Sequence, residues 1–160
     1  MKLQAIIYTT IIAIMCASCS ESNCVLGREV ATHVSFIGSV SKKNLACQGP
    51  ASLFICRQDA GDTVVLNKYK NLSMFTLPLN SAATSDTYII EYDTTLYLRD
   101  TFTIRYQNRP TFESLECGTT MFHTLLEITG TNHGMDSIVI ARKDVNYYED
   151  ANIKIYIPNN

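Results

Sequence analysis

The 160-residue chain has no tryptophan, only seven glycines and four prolines, and no excess of positive charge. Its 13 basic side chains face 15 acidic ones, so the basic stripe of a nucleic-acid-binding protein is missing and we expect no nucleic-acid partner. The glycines form neither a phosphate-binding loop nor a dinucleotide-binding motif, and there is no Gly-x-Ser-x-Gly nucleophile motif. None of the cysteines after residue 19 has the Cys-x-x-Cys spacing of a zinc or redox site, so we expect no metal and no cofactor.

An apolar run at residues 3–17 follows Lys2, and two small residues, Ala17 and Ser18, precede Cys19. This is the layout of a cleaved export signal, and bacterial lipoprotein signals have it around the cysteine that becomes the first mature residue. We therefore predict a signal peptide at residues 1–18 and lipidation at Cys19. An uncleaved membrane anchor is the first alternative, but about 15 residues fall short of the roughly 20 that a bilayer requires. The second is a secretory signal cut elsewhere, since Cys16 stands where lipoprotein signals usually carry Leu.

The predicted mature chain is long enough for one domain with its own core and too short for two. We expect a lipid-anchored spacer at residues 19–27 and a single domain at residues 28–160. The expected location is the cell envelope, outside the cytoplasm, with the outer membrane as the favoured membrane.

Apolar residues alternate with polar ones along most of the remaining chain, which indicates strands with one buried face. Tyr88, Ile90 and Tyr92 form one such stripe, and seven similar stripes occur elsewhere. Their predicted inward residues are Val30, Val34, Phe36; Phe75, Leu77, Leu79; Leu96, Leu98; Phe102, Ile104, Tyr106; Phe122, Leu126, Ile128; Ile138, Ile140; and Ile153, Ile155, Ile157.

Turn residues separate these stripes at intervals of about ten residues. Examples are residues 80–81, 108–110 and 130–134. The pair Arg99-Asp100 is either a bend or the middle of one long strand. Many short strands without an amphipathic helix predict an all-β fold, an antiparallel β-sandwich of immunoglobulin-like architecture, with a small barrel as the alternative.

Four cysteines follow Cys19, namely Cys24, Cys47, Cys56 and Cys117. An even number in an exported chain favours disulfides, and four cysteines allow three pairings.

Candidate catalytic residues occur in one loop, residues 130–136, where Asn132, His133 and Asp136 lie close together in sequence. Loops carry function more often than strand interiors do, so these three residues form a candidate binding loop. A plain polar hairpin loop is the simpler interpretation. His33 and His123 lie opposite the predicted apolar stripes, where we expect solvated side chains.

The nine tyrosines could supply a recognition surface. Most fall on inward stripes and supply core area. The exceptions, whose exposure would create a binding face, are Tyr69, Tyr97, Tyr147, Tyr148 and Tyr156.

Several sequence features of this chain occur together in other proteins. They are the lipoprotein-type signal, Cys24 and residues 76–80, 102–106, 112–118 and 136–138. With them, the chain resembles a family of small Bacteroidetes lipoproteins of unknown function. The resemblance implies an exported β-rich domain on a lipid tether, and it favours a disulfide between Cys24 and Cys117. The tripeptides Asp62-Thr63-Val64 and Asp93-Thr94-Thr95 resemble the Asp-Ser/Thr-apolar sites at which exported Bacteroidetes proteins are O-glycosylated.

The function that these features favour is that of a non-enzymatic binding or accessory domain, held on the membrane by its N-terminal lipid. Its partner would be an envelope protein or a glycan. The alternatives are an exported hydrolase, whose site comes from residues far apart in sequence, and a structural envelope subunit without a small ligand.

Overall fold

The computed structural model describes residues 30–43, 53–58, 61–69, 72–93, 98–115 and 117–158. The predicted signal peptide, Cys19, Cys24, Cys47 and Thr94 lie outside these residues. Within the described residues there is no helix long and apolar enough to cross a membrane.

The described chain folds into strands and contains no helix, which confirms the all-β prediction. The ten strands are β1 (Thr32–Gly38), β2 (Leu53–Gln58), β3 (Thr63–Tyr69), β4 (Met74–Leu77), β5 (Ser85–Asp93), β6 (Leu98–Ser114), β7 (Gly118–Gly130), β8 (Ser137–Ile140), β9 (Asp144–Val145) and β10 (Ile153–Ile157).

The strands form two sheets, one with four strands in the order β4-β1-β10-β8 and one with six in the order β3-β2-β5-β6-β7-β9. One of the sheets curls into a half-barrel, so the architecture fits a sandwich or a small barrel. Strands β1 and β10 run parallel, whereas the other strand pairs formed by described residues are antiparallel.

The predicted alternation accounts for most of the core. Tyr88, Ile90 and Tyr92 are buried along β5, and their neighbours on β1, β4, β6 and β10 are buried in the same way. The buried positions that the sequence predicted include Val34, Phe36, Phe75, Leu77, Phe102, Ile104, Tyr106, Ile153, Ile155 and Ile157.

The prediction for β7 is wrong at its centre because a register shift interrupts the strand. Arg105 pairs with Glu127, but the next residue, Tyr106, pairs with Leu125. The extra residue in β7 is a β-bulge, so the side chains on its two sides no longer follow one alternation. Leu125 is therefore fully buried and Leu126 is 52% exposed.

The bulge also overturns the expectation for His123, which is buried with only 3% of its surface exposed. His33, by contrast, is half-buried on β1.

The predicted turn at residues 108–110 is also wrong, because these residues continue β6 as a strand of 17 residues. Strand β5 pairs with β6 as far as Arg105. Beyond that point β7 is the described neighbour of β6, and Pro110 pairs with Met121. Proline has no backbone N–H group, and it is tolerated here because a residue at a strand edge does not need that group for pairing. Arg99 and Asp100 lie within the same long strand.

Candidate binding site

In the predicted loop, residues 130–136, Gly130 is the last residue of β7, and the remaining residues are held in place by the buried carboxylate of Asp100 on β6. Asp100 Oδ1 accepts hydrogen bonds from Thr131 Oγ1 at 2.6 Å and from the His133 N–H at 2.7 Å. Asp100 Oδ2 accepts from the N–H groups of Gly134 at 2.8 Å and Met135 at 3.0 Å. Burial alone would raise the pKa of Asp100, but these hydrogen bonds together lower it below its ordinary value.

His133 Nδ1 lies 3.2 Å from Asp100 Oδ1, and the imidazole is largely exposed. The Thr131 hydroxyl donates to Asp100 rather than to His133. A hydroxyl nucleophile needs its general base within hydrogen-bond distance, so these three groups lack the arrangement of a catalytic triad. We interpret Asp100 as the residue that shapes the loop.

The other two predicted loop residues have different surroundings. Asn132 is exposed, and Asp136 accepts a hydrogen bond from the Ser39 hydroxyl beside β1. His133 and Asp136 thus bond to different partners. A ligand-binding role for Asn132, His133 and Asp136 stays a prediction.

A second polar cluster lies inside the fold. The Tyr106 hydroxyl donates to Asp86 Oδ2 at 2.7 Å and lies 2.9 Å from the Asn80 carbonyl oxygen, and Asp86 Oδ2 also accepts from the Asn80 N–H at 2.9 Å. Burial is the main cause that raises the pKa of Tyr106. These bonds fix the connection between β4 and β5.

His123 belongs to the neighbouring part of this interior. Its Nδ1 lies 2.7 Å from Asn108 Oδ1, and its ring meets the Tyr106 ring edge-on with 5.5 Å between centroids. Burial lowers the pKa of His123, against the opposing charge of Asp86. The sequence pattern did not predict that His123 and Asp86 are buried, although Asp86 falls on the same alternating stripe as Tyr88.

On the outside of the long β6–β7 hairpin lies an open pocket of about 470 Å³, which we call the aromatic pocket. This volume falls within the range of about 300–1,000 Å³ that is typical of small-molecule sites. Arg109 and Phe122 are cross-strand partners on β6 and β7, and the segment after β9 adds the remaining wall. The lining residues are Arg109, Phe122, Asn146, Tyr147 and Tyr148.

Contacts outside the aromatic pocket fix the Tyr147 ring. Its hydroxyl donates to the Glu113 carboxylate and lies 3.2 Å from Thr120 Oγ1. The hydrogen bond to Glu113 is the main cause that raises the pKa of Tyr147. The ring also meets Phe122 edge-on, with 5.2 Å between centroids.

Tyr148 is held differently, because the residue is 68% exposed. Arg142 donates to the Tyr148 carbonyl at 3.1 Å, and its guanidinium lies over the ring, 5.6 Å from the centroid. The Tyr148 N–H donates to Asn146 Oδ1 at 3.0 Å. Arg109 is oriented by Asp144, with 3.0 Å between Nη2 and Oδ1. The walls are therefore formed before any ligand arrives.

Two of the tyrosines singled out in the sequence thus meet in one site. Tyr156 lies elsewhere, on β10, with the Lys42 ammonium 5.0 Å from its ring centroid. Tyr97 lies outside the described residues, and nothing is described of the Tyr69 side chain. Phe122 and Arg109 were not predicted for this site.

The remaining predictions concern the glycosylation site, the cysteines and metal binding. Thr63 is exposed at the start of β3, and its glycosylation stays a prediction. Cys56 is a buried thiol on β2. Cys117 is half-buried beside the hairpin turn, where its N–H donates to Ser114 Oγ at 3.0 Å. Its pairing with Cys24 stays a prediction, which peptide mapping without reductant would test. No group of three His, Cys, Asp or Glu side chains among the described residues could hold a metal ion.

Comparison with protein-family models gives one match, over residues 52–157, to a family of unknown function, DUF6452. The matched part runs from β2 to β10 and so contains the aromatic pocket and the loop held by Asp100. Comparison with curated proteins and with solved structures gives no match.

Proposed function

We propose that this chain, which belongs to the DUF6452 family, is an exported, lipid-anchored binding domain without enzymatic activity, and that its ligand site is the aromatic pocket. The lipid anchor would be Cys19, and the spacer at residues 19–27 would separate the lipid from the folded domain. The ligand would be a component of the cell envelope, either a protein or a glycan.

The observation that carries the binding role is the preformed wall of the aromatic pocket. The Glu113 carboxylate holds the Tyr147 hydroxyl, Arg142 bonds to the Tyr148 backbone and lies over its ring, and Asp144 at the rim pairs with Arg109. Side chains that are already ordered lose little conformational freedom when a ligand binds, which improves affinity. An exposed tyrosine beside an arginine is also a composition enriched at binding hot spots.

The non-enzymatic part of the proposal rests on the surroundings of His133. The Asp100 carboxylate, which lies beside His133, accepts hydrogen bonds from three backbone N–H groups and so holds the loop. The nearby hydroxyl of Thr131 points to the same carboxylate. This arrangement favours a structural role for Asp100 over an acid–base role.

A fragment screen by protein NMR tests the binding site, with the full mature protein and a library of small organic fragments as the probe. We expect the bound fragments to shift the resonances of Asn146, Tyr147 and Tyr148, and Tyr148→Ala to abolish these shifts. Phe112→Ala is the matched control, because Phe112 is an exposed ring on the same hairpin that does not line the pocket. Fragments that cluster elsewhere would contradict the assignment.

Membrane fractionation tests the anchor. Cys19→Ala should move the protein from the membrane to the soluble fraction, because two acyl chains bind a bilayer stably and the polar spacer does not. Intact mass of the wild-type protein provides the direct measurement. An unmodified Cys19 in a soluble wild-type protein would refute the anchor and leave the pocket assignment in place.

A further inference from the structure

The charges around the aromatic pocket are close to balanced. Arg109 is paired with Asp144 at 3.0 Å and Arg142 with Asp150 at 3.6 Å. The charged side chains of residues 142–150 and of the facing part of β6 are three basic and four acidic: Arg109, Arg142, Lys143, Glu113, Asp144, Glu149 and Asp150. A balanced or slightly negative surface does not attract an anion. The charge therefore disfavours an anionic ligand.

The polar groups at the rim include both donors and acceptors. Arg109 carries five N–H donors, and the carboxylate of Asp144 accepts beside it. Asn146 uses its oxygen to accept from the Tyr148 N–H, and among the described residues none accepts a bond from its amide N–H groups. A hydroxyl group both donates and accepts, so it is the neutral group that matches this rim.

The apolar part of the pocket includes the Tyr148 ring, and only one face of this ring is open to a ligand. Arg142 lies over one face of Tyr148, so a ligand must stack on the other face. Aromatic faces carry partial negative charge and attract groups with partial positive charge. The C–H groups on one side of a saccharide ring are such groups, and the hydroxyls around its edge would reach the rim.

We propose that the aromatic pocket binds a neutral saccharide. The ring stacks on Tyr148, and its hydroxyl groups bond to Arg109, Asp144 and Asn146. This inference rests on the proposed function, because it names the class of ligand for the same site.

Saturation-transfer NMR with the full mature protein in a detergent without a sugar headgroup tests the proposal. The neutral probes are cellobiose, lactose, mannobiose and chitobiose. The comparison probes are glucuronic acid and a hexaproline peptide. We expect saturation transfer to the C–H protons of at least one neutral disaccharide, with weaker signals from glucuronic acid and hexaproline.

Two variants assign the binding to the pocket. Tyr148→Ala removes the stacking ring, and we expect affinity to fall by roughly tenfold. Asn146→Asp keeps the oxygen that accepts from the Tyr148 N–H and replaces the amide donors, so we expect a similar loss without unfolding. Phe112→Ala should leave affinity unchanged. Circular dichroism confirms that each variant is folded.

The outcomes separate this inference from the proposed function. If fragments bind in the pocket and none of the four disaccharides does, the saccharide assignment is wrong and the binding site stands. Preferential binding of glucuronic acid or of hexaproline also overturns it, as does an equal loss of saccharide affinity in Phe112→Ala. If neither fragments nor saccharides bind in the pocket, both proposals fail.

Discussion

Asp100→Asn tests whether one buried carboxylate shapes the loop after β7. An asparagine has one acceptor oxygen, so its NH₂ group would face either the N–H groups of Gly134 and Met135 or the donors of Thr131 and His133. Each buried N–H that loses its acceptor costs about 1–3 kcal/mol. Two donors lose their acceptor in either orientation, so we expect the free energy of unfolding to fall by about 2–6 kcal/mol.

The pH dependence gives a second measurement. The folded state lowers the pKa of Asp100 below the ordinary 3.8, so the folded protein binds fewer protons than the unfolded chain near that pH. The contribution of Asp100 is therefore fully present above pH 3.8 and is lost as the pH falls through the lowered value. The stability difference between wild type and Asp100→Asn should narrow as the pH falls below 3.8.

Denaturant unfolding of both proteins from pH 7 to pH 2.5 provides the measurement. Asp150→Asn is the matched control, since Asp150 is 90% exposed and surface substitutions change stability by no more than about 0.5 kcal/mol. If Asp100→Asn is as stable as the control, or if its deficit does not depend on pH, the carboxylate does not hold the loop.

Three further substitutions test the packing. Gly134→Ala should destabilise the fold by about 1–3 kcal/mol, because its Cβ would lie 2.6 Å from a carbon of the Tyr92 ring, whereas Gly61→Ala meets nothing within 4 Å and should be neutral in thermal melts. Ile155→Asp should prevent folding, because burying an unpaired carboxylate costs several kcal/mol, while Lys154→Asp should leave the circular dichroism spectrum unchanged. Tyr106→Phe removes the hydroxyl between Asp86 and Asn80 and should lower the free energy of unfolding by about 1–3 kcal/mol; equal stability in urea would contradict that role.

Local pattern was enough to predict the strands whose alternation is uninterrupted. Tyr88, Ile90 and Tyr92 were correctly placed in the core because each strand residue determines the face of the next but one. The same rule fails in β7, because a bulge adds one residue and no local signal marks it. Leu125 and His123 are buried for that reason, although both lie opposite the predicted stripe.

The candidate site could be predicted in part. The neighbouring tyrosines Tyr147 and Tyr148 were recognised as a potential binding surface from sequence alone. Arg109 and Phe122 were not, because the first lay in a predicted turn and the second on a predicted inward stripe. They meet Tyr147 through the pairing of β6 with β7, and the register of that pairing depends on contacts far apart in sequence.

The parallel pairing of β1 with β10 has a consequence for the order in which the protein folds. Strand β10 lies between β1 and β8 in the four-stranded sheet, yet Val34 and its partner Ile153 are separated by almost the whole domain. Because the chain is synthesised from its N-terminus, β1 is available long before β10 emerges. The six-stranded sheet can assemble from neighbouring hairpins in the meantime, but the four-stranded sheet must wait for the last strand. Contacts of such long range slow folding, so the exposed edge of β1 would need protection from aggregation until β10 has been synthesised and has paired with it.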